Sequence, residues 1–348
     1  MLRQVFIILN DNIIYQRNYA KGLEESLFSN VYLKIKKASL SKFGADSGSF
    51  EFFEYRLSYV ADKDLNIVFL SLTGLGDEFE NIKPQLYKLK NGFLDIYSDN
   101  IQNSNFALLS EVIDPMVDVI HKNLKPKISI IGFSGVGKTT TTKLMKAEKI
   151  PMTHTPTITG EVATIKIGKL QFLLWDFAGQ DQFDFLWEKF IIGSDAVLLI
   201  TDSTLNNLEK SRYFFTLVNK VVPYARLAVI ANKQDLPDAL NVQEIERLLG
   251  QKTYPFIAIH PENRVKMTRI IADLLEMDPD VSPLLKPLFE RDHLMNEAQK
   301  ALQQGTFDVA VDLFEKISNT CLELGDDSLA LDFQNKAEKL RTVLKSRQ

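Results

Sequence analysis

The stretch that decides the fold is GFSGVGKT, residues 132–139, which has the form G-x-x-x-x-G-K-T. Residues 128–131 before it are mostly apolar and β-branched, which predicts a buried strand. Residues 140–149 after it contain neither Gly nor Pro, which favours a helix. A glycine-rich loop between a strand and a helix can point backbone N–H groups and the helix N-terminus at phosphate oxygens. The pattern therefore predicts a phosphate-binding loop in an α/β fold.

Two side chains of this loop have chemistry that suits a nucleotide. Lys138 is expected to reach the β- and γ-phosphates, and the Thr139 hydroxyl to bind Mg²⁺. A chance match in a turn is the alternative, and the strand and helix on either side argue against it. The residues predicted to contact the phosphates are Ser134, Gly135, Val136, Gly137, Lys138, Thr139 and Thr140.

A second motif identifies the base. The apolar run LAVIA, residues 227–231, leads into Asn232-Lys233-Gln234-Asp235. The Asp235 carboxylate can accept hydrogen bonds from the ring N–H and the exocyclic amine of guanine, whereas adenine would leave it unpaired. Alone, N-K-x-D is common in solvated turns. At the end of a strand downstream of a phosphate loop, it predicts a guanine site that includes Asn232, Lys233 and Asp235.

The region between these motifs contains candidate switch residues. Asp176 ends an apolar strand and can hold Mg²⁺ through water, Gly179 can bring its N–H to a γ-phosphate, and Gln180 can orient an attacking water. Upstream, the Thr157 hydroxyl can close on Mg²⁺ when the third phosphate is present. Two such loops are ordered by a γ-phosphate and released on hydrolysis. The predicted catalytic residues are Gln180, Lys138 and Thr157, and the predicted Mg²⁺ ligands are Thr139, Thr157 and Asp176.

Residues from about 127 to 277 resemble a small GTPase of the Ras superfamily, in its Arf/Sar branch. The segments that carry the resemblance are residues 156–158, 162–175, 175–181, 186–187 and 231–237. It implies a P-loop GTPase domain, with a mostly parallel sheet and helices on both faces. It also implies GTP or GDP and Mg²⁺ as cofactors, with Gln180 positioning water, Thr157 as the Mg²⁺ ligand of the first switch and Asp235 reading guanine.

Two positions depart from the Arf pattern. Ala178 stands where that branch usually has Gly, as in the Ras branch. Near the base the family uses the N–H of an Ala, and alignment puts Pro261, which has no N–H, at that position. The N–H of His260 or Glu262 can substitute, so His260 is counted among the residues near the base.

Composition limits the class of protein. With 348 residues we expect two or three domains. The net charge of −4 argues against nucleic acid as the main partner, and a single cysteine, Cys321, excludes an internal disulfide and fits a reducing cytosol. No apolar run suits a membrane span, and Leu2 and the C-terminal residues 345–348 lack lipidation signals. We therefore expect a cytoplasmic protein that reaches a membrane only through partners.

Residues 1–124 are predicted to form an α+β domain of their own. The order β-β-α-β-β-β-α-α resembles a longin domain, and an unrelated α+β domain is the alternative. Strands are predicted around residues 4–9, 13–17, 49–54, 56–61 and 66–72, and helices around residues 24–37, 77–96 and 106–122. The Arf-like GTPase domain is assigned to residues 125–278.

Residues 284–348 are predicted to form a small α-helical region. Helices are expected at residues 292–303, 307–324 and 329–345. The spacing of Gly305, Phe307, Ala310 and Phe314 resembles the second half of a tetratricopeptide repeat. One copy also fits an amphipathic helical hairpin that packs on itself or on a neighbour.

These patterns predict a regulatory GTP-binding protein that hydrolyses GTP slowly and switches conformation, in trafficking or signalling. Its expected partners are activating and exchange proteins and an effector, with the longin-like domain packing in cis through its short linker. The alternative is a nucleotide-locked scaffold with little turnover, which Pro261 favours and which needs neither Gln180 nor Thr157. An ATP-using P-loop enzyme is disfavoured by Asp235.

Overall fold

The computed structural model describes residues 1–40, 44–97, 108–147, 161–167, 170–176 and 184–345. The chain divides into two compact units. The first unit consists of residues 1–126 and 275–283, and the second of residues 127–274 and 284–348.

The described residues of the first unit form a five-stranded antiparallel sheet and three helices. Its sheet order is β2-β1-β5-β4-β3. The elements follow the predicted order β-β-α-β-β-β-α-α: β1 Leu2–Leu9, β2 Asn12–Asn18, α1 Glu25–Ser39, β3 Ser47–Phe52, β4 Tyr55–Asp62, β5 Ile67–Gly74, α2 Phe79–Tyr97 and α3 Leu109–Asn123.

Helices cover both faces of this sheet. All eight residues of β1 are buried, which requires cover on both sides. On one face Phe28 and Ile35 of α1 pack against alternate strand residues. On the other face Phe93 of α2 and Val117 of α3 do so. The apolar runs of the sequence thus form a sheet that is buried on both faces.

The nine residues 275–283 also belong to the first unit, although the chain on either side of them belongs to the second. Met277 forms an antiparallel bridge with Ala20, and the Glu276 carbonyl accepts from the Lys21 N–H at 3.0 Å. The Arg3 guanidinium pairs with the Glu276 carboxylate at 3.3 Å. Main-chain hydrogen bonds and an ion pair therefore hold this segment, part of which lies in the range 125–278 assigned to the GTPase-like domain.

A buried histidine lies beside the same segment. The His121 ring stacks on Tyr19 with centroids 3.8 Å apart, and its Nε2 is 3.2 Å from the Ser282 hydroxyl. Burial lowers the pKa of His121 to about 3. The ring is therefore neutral in the folded protein near pH 7.

The second unit is built on a six-stranded sheet in the order β11-β10-β9-β6-β8-β7, in which every neighbouring pair is parallel except β7 with β8. All six residues of β9 are buried, as in a sheet covered on both faces. Its elements are β6 Lys127–Ile131, α4 Lys138–Met145, β7 Glu161–Ile167, β8 Leu170–Asp176, α5 Asp184–Ile191, β9 Ala196–Thr201, α6 Leu205–Val221, β10 Arg226–Ala231, α7 Val242–Leu249, β11 Thr253–Pro255 and α8 Asn263–Leu275.

Three C-terminal helices complete the second unit: α9 Lys286–Gln303, α10 Phe307–Leu324 and α11 Asp327–Lys345. Ala310 and Phe314 are buried in a cluster with Ala298 and Phe333, so the small-and-large spacing does serve helix packing. Helix α9 begins earlier than the predicted residue 292, because Pro287 lies in its first turn, where proline is well tolerated. Among the described helices, none is long and apolar enough to cross a membrane.

Candidate functional site

The phosphate-loop motif connects β6 to α4 and depends on its glycines. Gly132, Gly135 and Gly137 have φ angles of 143°, 80° and 101°. A Cβ on Gly132 would lie 2.3 Å from the Ile200 carbonyl oxygen, and one on Gly137 would lie 2.3 Å from Asn232 Nδ2. At both positions the close approach of neighbouring groups, as well as the φ angle, requires glycine.

Lys138 lies at the start of α4 and inside the loop. Its side chain is buried, and its Nζ donates to the carbonyls of Gly132 at 3.0 Å and Phe133 at 2.9 Å. Helix α4 has no side-chain cap hydrogen bond and no acidic residue in its first turn, so its own first turn supplies no carboxylate to offset the partial positive charge of the N-terminus. A buried ammonium beside this N-terminus fits the charge of a polyphosphate.

Asn232 joins three parts of the site. Its side chain is 2% exposed. Its Nδ2 donates to the Val136 carbonyl of the phosphate loop at 2.8 Å, and its Oδ1 accepts from the Ala258 N–H at 2.9 Å. The residue thus links β10 to the phosphate loop on one side and to the loop after β11 on the other.

Gln234, at the unspecified position of the N-K-x-D motif, holds the rest of this segment in place. Gln234 Nε2 donates to the Ser203 hydroxyl at 2.8 Å and to the Leu240 carbonyl at 3.0 Å. Lys233 has a φ of 60°, so the chain turns between Asn232 and Gln234. Asp235 is exposed, which leaves its carboxylate open to a ligand.

The loop after β11 contains an amide that bonds the N-K-x-D segment. Its Ala258 N–H bonds Asn232, as described above, and its His260 N–H donates to the Ile257 carbonyl at 3.2 Å. His260 Nδ1 lies 3.0 Å from a Glu262 carboxylate oxygen, and both side chains are exposed. The structure therefore identifies the Ala258 N–H as the main-chain group that holds the Asn232 side chain. The sequence alignment had placed Pro261 opposite the family's Ala and had not singled out Ala258.

The remaining predicted residues differ in how far the structure describes them. Ser134 and Gly135 are exposed at the loop, and Thr139 and Thr140 are partly buried in the first turn of α4. The backbone of Asp176 ends β8, which is hydrogen-bonded to β6. Thr157, Gly179 and Gln180 lie outside the described residues.

A buried ion network lies elsewhere in the second unit. The Asp292 carboxylate, which is 0% exposed, accepts from Arg264 Nε at 2.9 Å and from Arg291 Nη2 at 2.8 Å. Burial lowers the pKa of Arg264. Arg291 also donates to the Met145 carbonyl at 3.4 Å. The network therefore joins α8 and α9 to the end of α4, the helix that begins at the phosphate loop.

Comparison with known proteins covers much of the second unit. A sequence profile described as the ADP-ribosylation factor family matches residues 113–273, and one described as Sll0103-like, C-terminal alpha-helical domain, matches residues 292–345. ADP-ribosylation factor-like protein 5 of Dictyostelium discoideum is 33% identical over 131 residues, which are 37% of this chain and 71% of that protein. The protein of the same name from Caenorhabditis elegans is 32% identical over 132 residues, 37% of this chain and 74% of that protein. The solved Arl6 BBS3 small GTPase from Trypanosoma brucei, with bound nucleotide analogue GppNp, is 22% identical with a TM-score of 0.34, and the match covers 43% of this chain and 98% of that chain.

Proposed function

Because the chain belongs to the ADP-ribosylation factor family, we propose that it is a regulatory protein that binds guanine nucleotides, hydrolyses GTP slowly and changes conformation with the nucleotide. The observation that carries the proposal is the buried Asn232 side chain, which ties the G-x-x-x-x-G-K-T loop to the N-K-x-D segment. A phosphate loop and a base-reading segment joined in this way suit one nucleotide that spans both. Trafficking or signalling is the setting that the family suggests.

Each predicted residue has a role in this proposal. The Lys138 ammonium and the N-terminus of α4 bind the β- and γ-phosphates, and Asp235 accepts two hydrogen bonds from guanine. The Thr139 and Thr157 hydroxyls would hold Mg²⁺ directly and Asp176 would hold it through water, and the ion would supply neutralisation of phosphate charge. The other proposed contacts to the nucleotide come from Ser134, Gly135, Val136, Gly137, Thr140, Gly179, Asn232, Lys233 and His260.

The proposed reaction is attack of water on the γ-phosphate. Gln180 orients the water; the new bond joins its oxygen to the γ-phosphorus, and the bond to the β-phosphate oxygen breaks. The products are GDP and dihydrogen phosphate, which carries both protons of the attacking water. With no arginine supplied to the transition state, we expect an intrinsic rate on the order of 10⁻³ s⁻¹. Activating and exchange proteins and an effector, as in the family, are the proposed partners.

The second candidate function is a scaffold that holds its nucleotide with little turnover. Pro261 favours it, since a proline in the base loop cannot donate an N–H there. Single-turnover hydrolysis of preloaded GTP distinguishes the two functions. Measurable phosphate release by the chain alone, with no activating protein added, supports the switch. GTP that remains undiminished after many hours supports the scaffold.

Loss of nucleotide from a phosphate-loop variant tests the proposed site. We expect Lys138→Ala to lose guanine nucleotide during gel filtration, because the buried ammonium at the loop is removed. Lys143→Ala changes a lysine in the last turn of the same helix and is the matched control, expected to retain the nucleotide. Stoichiometric GTP or GDP on Lys138→Ala would show that the loop is not the phosphate site.

We propose in addition that residues 1–124 form a longin-like domain that packs in cis and biases the switch. The chain passes between the two units after residues 126, 274 and 283, and such short connections give millimolar effective concentrations. A chain that begins near Lys125 should then differ several-fold from the full chain in nucleotide exchange or hydrolysis. A chain that begins near Lys125 also lacks the residues that hold segment 275–283. Glu276→Gln in the full chain therefore serves as a second variant, because it changes only the carboxylate that pairs with Arg3. Equal rates in all three chains would leave the domain as an independent adaptor.

A further inference from the structure

Ser203 lies just after β9, and its buried side chain hydrogen-bonds two residues of the N-K-x-D segment. It is 0% exposed and has a φ of 68°. Its N–H donates to Thr201 Oγ1 at 2.9 Å, and its carbonyl accepts from the Leu240 N–H at 2.9 Å. The backbone of Ser203 is therefore fixed by the strand before it and by the segment after the N-K-x-D motif.

The Ser203 hydroxyl bonds both sides of the turn at Lys233. It donates to the Asn232 carbonyl at 2.6 Å and accepts from Gln234 Nε2 at 2.8 Å. These two residues flank Lys233, whose φ of 60° reverses the chain just before Asp235. One buried hydroxyl therefore fixes the main chain before the turn and the side chain after it.

The backbone conformation of Ser203 supports a functional role for its hydroxyl. A left-handed φ is unfavourable for a residue with a Cβ, and glycine adopts it freely. What serine adds at this buried position is the hydroxyl and its two bonds to the reading segment.

We infer that Ser203 is a positioning residue for guanine recognition: its hydroxyl bridges Asn232 and Gln234 and so orients Lys233 and Asp235 toward the base. This inference rests on the proposed guanine site. A displaced Asp235 weakens both hydrogen bonds to guanine, but only one to hypoxanthine, which lacks the exocyclic amine. The ratio of affinities for GDP and IDP therefore reports the position of Asp235, and any change in the phosphate loop cancels in that ratio.

The experiment compares dissociation constants of GDP and IDP, measured by competition against a fluorescent GDP, in the full chain and three variants. Ser203→Ala removes the hydroxyl and keeps the Cβ, whereas Ser203→Gly removes the hydroxyl and the Cβ, and with the Cβ the cost of the left-handed φ. Ser211→Ala is the matched control, since Ser211 is a buried serine of α6 whose hydroxyl donates to Asn207 of the same helix at 3.4 Å. Thermal unfolding of each variant is measured in parallel.

We expect both Ser203 variants to bind GDP about tenfold more weakly and IDP only a few-fold more weakly, as for loss of one or two hydrogen bonds. The preference for GDP over IDP then falls in both, while Ser211→Ala keeps the preference of the unaltered chain. A purely structural serine would weaken GDP and IDP equally, and an unchanged ratio in Ser203→Gly overturns the inference even if Ser203→Ala fails to fold. If the unaltered chain itself does not prefer GDP, both the guanine site and the role of Ser203 are refuted.

Discussion

Replacing Asp292 by alanine is expected to destabilise the second unit strongly. The carboxylate is the shared partner of Arg264 and Arg291 at 2.8–2.9 Å, and all three side chains are buried. Without it, two buried guanidinium groups lose their counter-charge and repel each other. Removing one partner of a buried ion pair costs about 3–5 kcal/mol.

The assay is thermal unfolding of the full chain followed by calorimetry. For a domain of roughly 150–250 residues each kcal/mol lowers the midpoint by about 2–4 °C, so Asp292→Ala should lower it by about 6–20 °C. Asp332→Ala is the matched control, because Asp332 pairs with Lys336 at 2.6 Å on the surface of α11. Exposed pairs of this kind contribute only about 0–1 kcal/mol.

Arg291 connects the buried ion network to the helix that follows the phosphate loop. It donates to the Met145 carbonyl at the end of α4, and α4 begins with Lys138. Asp292→Ala should therefore also release nucleotide faster than Asp332→Ala. A midpoint shift no larger than that of Asp332→Ala would refute the reasoning that the network is a buried, paired charge cluster.

Three further predictions concern single groups. Burial lowers the pKa of His121 from 6.5 to about 3 in the folded chain, so the unfolded chain binds the proton first as the pH falls. The free energy of unfolding of the first unit should therefore decrease by about 2 kcal/mol between pH 7 and pH 5. His121→Gln should flatten that slope in pH-dependent denaturation, and an unchanged slope would assign it to other groups. Asp235→Asn should shift preference from guanine toward xanthine, whose 2-oxo group accepts from the new amide, by at least about a hundredfold in relative affinity; competition binding that shows no shift would exclude Asp235 as the reader. Gln180→Leu should slow single-turnover hydrolysis and leave binding intact, and an equal rate would mean that another residue orients the water.

Local patterns were enough to predict the fold. The glycine spacing of residues 132–139 and the strand before it predicted the loop between β6 and α4, because the chain there is governed by its own φ angles and neighbours. The order of elements in the first unit and the three C-terminal helices also followed from periodicity. These features depend on residues close together in sequence.

The parts that the sequence did not predict are contacts between distant segments. Ser203 meets Asn232 and Gln234 only because β9 and β10 are neighbours in the sheet. Arg291 and Asp292 are adjacent charged residues, a pattern typical of a solvated helix end, and their burial depends on α8 and α4. In the same way, nothing local indicates that residues 275–283 belong to the first unit.

The nucleotide that the purified full chain carries is the most direct test of guanine recognition. Denaturing the chain and separating the released nucleotides by chromatography identifies the base and gives the number bound per chain. The proposed roles of Lys138 and Asp235 predict GDP or GTP, close to one per chain, with no adenine nucleotide. Release of ATP or ADP, or a chain that carries no nucleotide and fails to bind added GDP, would contradict it.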